Sequence, residues 1–243
     1  MGRTDFRRIL PKAGSPSAAR TKSLPLQAVR EKPPLDLLLN SFVVLLVVVD
    51  PVGNAPIFAA LTRGLSEVER RGVALRGIAL SAAILLVFFL AGNGLLSALG
   101  IGIPAFRIAG GSFLFLLAID MVFARQSGLR STTASERAEA REREDISIFP
   151  LAFPLIAGPG AITTVLLMAA EGGGWQAQGL RLALVVFVLL LTLGSLLLTA
   201  RIMRLLGETG ANVIDRVLGL LLAAIAVQFV VDGVRGAFGL GGG

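Results

Sequence analysis

The sequence predicts an all-α membrane protein with six transmembrane helices, arranged as two inverted three-helix repeats in which helices 1 and 4 are broken. Three observations carry this prediction: 54% of the residues are hydrophobic, long apolar stretches recur, and two of them share a proline-bracketed interruption. Soluble domains are about 25% charged, whereas this chain is 16% charged. The apolar excess predicts a large surface that contacts the lipid bilayer.

Six apolar stretches define the predicted domains. A transmembrane helix needs about 20 mainly apolar residues, and such stretches lie at 35–61, 73–99, 103–124, 146–170, 180–206 and 213–234. We therefore predict an N-terminal extension, a first repeat, a charged cytoplasmic linker, a second repeat and a glycine-rich tail. Their bounds are 1–34, 35–124, 125–145, 146–236 and 237–243.

The N-terminal extension holds most of the net charge of +7, because eight basic and only two acidic residues lie within 1–32. It lacks an apolar segment, so we expect it to be disordered, or to precede the true start of the protein. The rest of the chain is close to neutral. We therefore expect no nucleic-acid partner.

The composition excludes much enzyme chemistry. The chain has no Cys and no His, which removes thiol nucleophiles, histidine acid–base catalysis and the commonest transition-metal ligands. We expect no enzymatic activity, no cofactor and no tightly bound metal.

Three pairs of anchors align the two halves. Pro51–Pro56 (PVGNAP) has the proline spacing of Pro154–Pro159 (PLIAGP). Arg76 opens the second stretch as Arg181 opens the fifth, and Arg107 precedes Gly110 as Arg216 precedes Gly219. A directly repeated unit of three spans must insert in opposite orientations. The alignment therefore predicts an inverted repeat, a plan common among secondary transporters.

Arginine counts predict the orientation. Four, five and three arginines lie in segments 62–76, 125–145 and 201–216, while segments 92–102 and 171–179 contain none. Cytoplasmic loops are enriched in Arg and Lys. The body should therefore place both of its ends, near residues 35 and 236, on the periplasmic side of a bacterial inner membrane.

Two interruptions carry the candidate site. Proline and glycine disrupt helical hydrogen bonding, and broken backbone in a membrane persists only where it is buried in protein or faces a watery cavity. The freed backbone groups can bind a solute or an ion. The candidate binding residues are Asp50, Pro51, Gly53 and Asn54 in the first interruption, and Gly158, Pro159, Gly160, Thr163 and Thr164 in the second.

Each candidate has a structural alternative. Asp50 could bind Na⁺ or an ammonium group, or it could cap the half-helix that follows it. Arg107 could pair with Asp50 or a substrate carboxylate, or extend to the interface. Asp120 could lie on a transport path or form an interfacial ion pair. The breaks themselves could be kinks without a ligand.

The motifs together resemble the MarC family of integral membrane proteins. The segments that carry the resemblance are 50–58 (DPVGNAPIF), 105–111 (AFRIAGG) and 149–164 (FPLAFPLIAGPGAITT), and the match extends over about residues 35–236. The resemblance implies a six-helix bacterial inner-membrane protein, and some family members are described as carriers of small neutral amino acids. The long basic extension departs from the family pattern.

We expect a secondary transporter of small neutral solutes, such as glycine or alanine, coupled to Na⁺ or H⁺. Alternating access would occur around a midplane site between the two broken helices, with the small molecule and the bilayer as partners and a homo-oligomer as an open option. The alternative is a non-transporting inner-membrane partner or stress-associated protein.

Overall fold

The computed structural model describes residues 34–123, 145–171 and 174–240. The predicted extension, most of the predicted linker and the last residues of the glycine-rich tail lie outside these ranges. Within the described ranges all regular elements are helical. They are α1 (Pro34–Val49), α2 (Asn54–Leu61), α3 (Glu67–Ala98), α4 (Ile103–Phe123), α5 (Ser147–Ile156), α6 (Pro159–Ala170), α7 (Trp175–Leu197) and α8 (Thr199–Ala237).

Five helices of the described chain are long and apolar enough to cross a membrane, and a sixth crossing results if the bent pair α5–α6 is one span. The five are Leu38–Leu61, Glu67–Gly92, Ile103–Phe123, Trp175–Leu197 and Thr209–Ala237. Many large apolar side chains on these helices are exposed, including Leu90, Phe187 and Leu220. The prediction of an all-helical membrane protein is confirmed within the described residues, with five to six candidate spans where the sequence predicted six.

Helix α3 begins several residues before the apolar stretch that predicted it. Ser66 forms a capping box, because its hydroxyl accepts from Glu69 N (3.4 Å) while the Glu69 carboxylate accepts from Ser66 N (2.8 Å). These reciprocal bonds satisfy two amides that a helix start otherwise leaves free. The helix therefore extends through the polar residues 67–72.

The connection between the last two spans differs from the predicted stretch 180–206. Helix α7 ends at Leu197, and α8 begins at Thr199 with a change of direction at Gly207 (φ 64°, ψ −179°). A positive φ of this kind is easy only for glycine. The segment Thr199–Leu206 thus precedes the last span instead of completing the fifth.

Two pairs of spans run parallel. Along α1 and α7, the ring centroids of Phe42 and Phe187 lie 5.9 Å apart, and Ser195 donates to Pro51 O. Along α3 and the bent pair, Gly77 lies against Leu151, and Gly92 lies against Leu166. In each pair the residue numbers of the contacting residues increase in the same direction along both helices. Helix α7 therefore runs parallel to α1, and the pair α5–α6 runs parallel to α3.

The bend between α5 and α6 is 58°. The contacts with α3 extend over the 15 residues from Gly77 to Gly92, which is roughly 22 Å of helix. Over this distance the bent pair advances in one direction and does not turn back.

Helices α4 and α8 form the most extensive helix pair and run antiparallel. Three glycines permit the close approach, because a Cβ at Gly111 would meet Ala226 O at 2.7 Å, at Gly219 Met121 Cβ at 2.8 Å, and at Gly233 Pro104 O at 2.8 Å. Small residues allow helix backbones to approach closely in membranes. The buried core beside this pair includes Leu45, Phe58, Leu114, Leu151, Val165, Val188 and Leu222.

Candidate functional site

The first interruption lies between α1 and α2. Asp50 has φ 45°, a left-handed conformation that Asp tolerates better than most residues. Its side chain is completely buried. Burial of an ionisable side chain within a membrane protein is costly, so such a residue usually has a binding partner or a function. Helix α1 ends just before Asp50, and the chain resumes as α2 at Asn54.

Hydrogen bonds from protein groups satisfy the backbone of this interruption. Asp50 Oδ1 accepts from Gly53 N (2.9 Å), and Asp50 O accepts from Asn54 N (3.1 Å). Pro51 O accepts from the Ser195 hydroxyl of α7, and Val52 O accepts from Ala55 N (3.1 Å). Asp50 therefore organises the turn that starts α2, and each of these carbonyls retains only one lone pair for an ion.

The side-chain oxygen of Asn54 is the exception, because it lacks a hydrogen-bond donor among the described residues. Its Nδ2 donates to Val49 O (2.7 Å), which fixes the orientation of the amide. Its Oδ1 is buried and has no hydrogen-bond donor among the described residues. A buried acceptor without a donor costs about 1–3 kcal/mol. The first interruption thus offers a fully desolvated oxygen four residues after a buried carboxylate.

The second interruption joins α5 and α6. Phe149 and Phe153 have extended backbone within α5, and Gly158 precedes α6 with Pro159 in its first turn. Within the described chain, Ile162 is the first residue of α6 whose amide donates a hydrogen bond, to Gly158 O (3.0 Å). The amides of Gly160 and Ala161 are thus left for a ligand or water, as at other helix starts.

The start of α6 is enclosed by neighbouring helices. A Cβ at Gly160 would meet Leu114 Cδ2 at 2.8 Å and Val48 Cγ1 at 3.1 Å, and Gly110 packs directly on the methyl group of Thr163. Thr163 and Thr164 are buried, and the Thr164 hydroxyl donates to Gly160 O (2.9 Å).

A cavity of about 30 Å³ lies beside the second interruption. Its walls are Val48, Phe113, Leu117, Pro154, Leu155, Ile156, Gly158, Pro159, Gly160 and Ala161. Since a water molecule needs roughly 10–15 Å³ of such volume, the cavity has room for about two waters. A larger solute requires the walls to separate.

Arg107 lies away from both interruptions. Helices α4 and α6 run antiparallel, because Leu114 contacts Gly160 while Gly110 contacts Thr163. This register places half-buried Arg107 level with Leu167, roughly 10 Å along the axis from Gly160. The substrate role of Arg107 therefore remains a prediction without a supporting contact. Asp120, also on α4, is buried toward the opposite end of that helix.

Buried hydroxyl groups near the interruptions were not predicted. Ser195 bonds to Pro51 O across 144 residues of sequence, and Ser81 of α3 lies 3.5 Å from Ala152 O of α5. Each hydroxyl belongs to one half and bonds to a carbonyl of the other half, at the first interruption for Ser195 and within α5 for Ser81. Thr192, Ser195 and Thr199 recur with helical spacing in an apolar region, which is the sequence signal that could have identified this face.

These features define a polytopic α-helical membrane protein with buried polar groups at two helix interruptions. The sequence matches the family described as "MarC family integral membrane protein" over residues 35–238. The chain belongs to this family, as the motifs at the interruptions indicated.

Curated relatives cover most of the chain. "UPF0056 membrane protein YvbG" of Bacillus subtilis is 37% identical over 201 residues, which are 83% of this chain and 95% of the relative. "UPF0056 inner membrane protein YhgN" of Escherichia coli is 33% identical over 202 residues, covering 82% and 96%. "UPF0056 membrane protein MJ1677" of Methanocaldococcus jannaschii is 38% identical over 194 residues, covering 78% and 92%. No solved structure matches.

Proposed function

We propose that this protein is a secondary transporter of small neutral amino acids, such as glycine or alanine, driven by a Na⁺ or H⁺ gradient. The site lies between the two interruptions near the bilayer midplane, in the inner membrane of a bacterium. Transport occurs by alternating access, with the two halves moving relative to one another.

One observation carries the proposal most directly: the buried Asn54 Oδ1 has no donor among the described residues and stands close in sequence to buried Asp50. A protein would not retain both groups in a membrane for stability alone, because each is costly to bury. An ammonium group or a cation satisfies the acceptor and is attracted by the carboxylate. The first interruption therefore suits the positive end of a zwitterion or a coupling Na⁺.

The second interruption suits the opposite charge. The Gly160 and Ala161 amides stand at the positive end of α6, where a helix of 12 residues favours an anion. Val48 of α1 touches this helix start, only two residues before Asp50. A solute with an ammonium and a carboxylate group is the small-molecule class that matches both ends.

The packing supports an inverted repeat. If the two halves are exchanged, α1 corresponds to the bent pair α5–α6, and α7 corresponds to α3. The parallel pair α1–α7 then becomes the parallel pair of α5–α6 with α3, and the antiparallel pair α4–α8 is unchanged. The contact of α4 with α6 becomes that of α8 with α2. A two-fold axis in the membrane plane has these properties, and it supports counting the bent pair as a sixth span.

The small cavity fits a closed state of such a transporter. With room for about two waters, it admits no amino acid until α1 and α4 separate from the start of α6. Small-residue contacts such as Gly110 with Thr163 would permit a sliding motion. This conformation would be one in which neither side of the membrane has access.

A non-transporting membrane partner is the second candidate. It is favoured by the internal satisfaction of the first interruption, where protein donors already occupy the carbonyls of residues 49–52. In this case the interruptions only shape the helices.

The deciding experiment is uptake of labelled glycine and alanine by liposomes that contain the purified full chain, with imposed Na⁺ or proton gradients. The transporter proposal predicts gradient-dependent accumulation that unlabelled amino acid competes away. Folded protein that moves no member of a neutral amino-acid panel in either direction would contradict it, and stoichiometric co-purification of another protein would then support the second candidate.

A further inference from the structure

A second cavity lies where α2, α3 and the α7–α8 junction meet. It is lined by Phe58, Glu67, Arg70, Arg71, Leu196, Leu197, Thr199 and Ala200. Its volume is about 30 Å³, and its floor contains the buried side chains of Phe58 and Leu196. Two arginine side chains thus line a cavity whose floor includes two buried apolar side chains.

Basic residues outnumber acidic ones around this cavity. Arg63, Arg201 and Arg204 are exposed on the segments that adjoin it. The only acidic lining residue, Glu67, pairs with Arg71 at 3.6 Å, and both side chains are more than two-thirds exposed. Such an exposed ion pair contributes little to stability. Arg71 can therefore exchange Glu67 for the phosphate group of a ligand.

The segment Thr199–Leu206 beside the cavity has the character of an interfacial helix. It precedes the last span, which starts at Thr209, and it presents Leu205 (84% exposed) together with exposed Arg201 and Arg204. Apolar and arginine side chains exposed on one short helix suit the boundary between headgroups and acyl chains. The cavity therefore opens at headgroup depth.

We propose that Arg70 and Arg71 bind the phosphodiester headgroup of an anionic phospholipid at the mouth of the cavity beside the α7–α8 junction. The guanidinium groups bind phosphate oxygens with paired hydrogen bonds, which arginine provides and lysine does not. Leu197, which is 47% exposed, lies along an acyl chain. The arginine-rich side is predicted to be cytoplasmic, where anionic lipids attract such clusters.

The site bridges the two halves, because Arg70 and Arg71 belong to α3 whereas Leu196 and Thr199 belong to the second half. Leu196 follows Ser195, whose hydroxyl donates a hydrogen bond to Pro51 O. A bound headgroup would therefore stabilise the contact between α3 and the α7–α8 junction. The binding itself does not depend on the proposed transport activity.

The test titrates phosphatidylglycerol into the purified full chain in neutral detergent and counts bound lipid by native mass spectrometry. The test variant is Arg70→Gln with Arg71→Gln. The matched control is Arg63→Gln with Arg204→Gln, which removes the same charge from the same side but leaves the cavity lining intact. Both pairs are surface arginines, and circular dichroism checks that each variant folds.

We expect the affinity for phosphatidylglycerol to fall about tenfold or more in the test variant, since bonds to charged groups are lost, and less than about twofold in the control. Arg70→Lys with Arg71→Lys should bind at an intermediate strength. Equal losses in test and control would overturn the proposal, as would equal affinity for phosphatidylcholine. Displacement of the lipid by equimolar inorganic phosphate would also overturn it, because it would indicate a general anion site.

Discussion

The two helix interruptions share a proline spacing but differ in chemistry. The first contains Asp50 and Asn54, and its backbone amides are taken by an acidic side chain and by neighbouring carbonyls. The second contains no ionisable residue between Pro154 and Thr164, and its helix begins with two amides that donate to no protein group in the described chain. One interruption presents acceptors and the other presents donors.

If the two halves arose by the proposed duplication, this difference indicates which features were kept and which diverged. Proline and glycine are common to both interruptions, because proline removes a helical donor and glycine adds backbone freedom, which together interrupt a helix. The polar side chains of the two interruptions differ. In the proposed site this divergence gives a zwitterion one fitting end in each half.

The acceptor side is tested by Asn54→Ala. We expect gradient-driven uptake of glycine to fall about tenfold to a hundredfold, because a hydrogen bond to a charged group contributes about 1.5–3 kcal/mol. Asn40→Ala, an exposed asparagine of α1, is the matched control and should keep full uptake. Retained uptake in Asn54→Ala would remove the acceptor from the proposed site.

The donor side is tested by Gly160→Ala. The added methyl group would lie 2.8 Å from Leu114 Cδ2 and 3.1 Å from Val48 Cγ1, so it pushes α1 and α4 away from the free amides. Overpacking of this kind costs about 1–3 kcal/mol, which corresponds to roughly tenfold weaker uptake. Gly179→Ala on α7 meets no atom within 4 Å and is the control. Equal uptake by both variants would contradict the role of this helix start.

The bond between the halves is tested by Ser195→Ala. The substitution leaves buried Pro51 O without its donor, and we expect a loss of about 1–3 kcal/mol, seen as a lower Tm in detergent. Thr192→Val is the control, because within the described residues the Thr192 hydroxyl bonds to Val188 O of its own helix. If the two variants lowered the Tm equally, the bond to Pro51 would have no special contribution.

The smallest expected effect concerns the entry to the second interruption. The Ser147 hydroxyl and amide donate to Asp145, and Arg76 lies 3.4 Å away, so these contacts hold the pKa of the Asp145 carboxyl below its usual value. A lowered folded-state pKa stabilises the fold above the ordinary aspartate pKa, and this contribution is lost as the pH falls through the lowered value. In melting experiments from neutral to acidic pH, Asp145→Asn should lack this component. Identical acid dependence in the wild type and the variant would contradict it.

Much of the architecture follows from sequence because its signals are local. Apolar stretches locate the spans, and the prolines near residues 154 and 159 lie at the 58° bend between α5 and α6. The start of α3 was also encoded locally, since Ser66 and Glu69 have the spacing of a capping box. The apolar pattern alone placed that start too late.

The polar contacts of the site could not be predicted, because they depend on long-range packing. The bond from Ser195 to Pro51 joins residues 144 positions apart. The lone acceptor of Asn54 exists only because its amide is oriented by Val49 O. The arginine-lined cavity likewise requires the α7–α8 junction to meet the start of α3.

The central claim is that buried Asp50 provides the charge that couples solute movement to a cation gradient. The most direct measurement compares gradient-driven glycine uptake by the wild type and Asp50→Asn in matched liposomes, with Asp120→Asn as the control at another buried acid. Asn can still accept from Gly53 N, so the fold should persist while uptake falls about a hundredfold or more, since removing one partner of a buried charge pair costs about 2–5 kcal/mol. Wild-type uptake by Asp50→Asn would contradict the account.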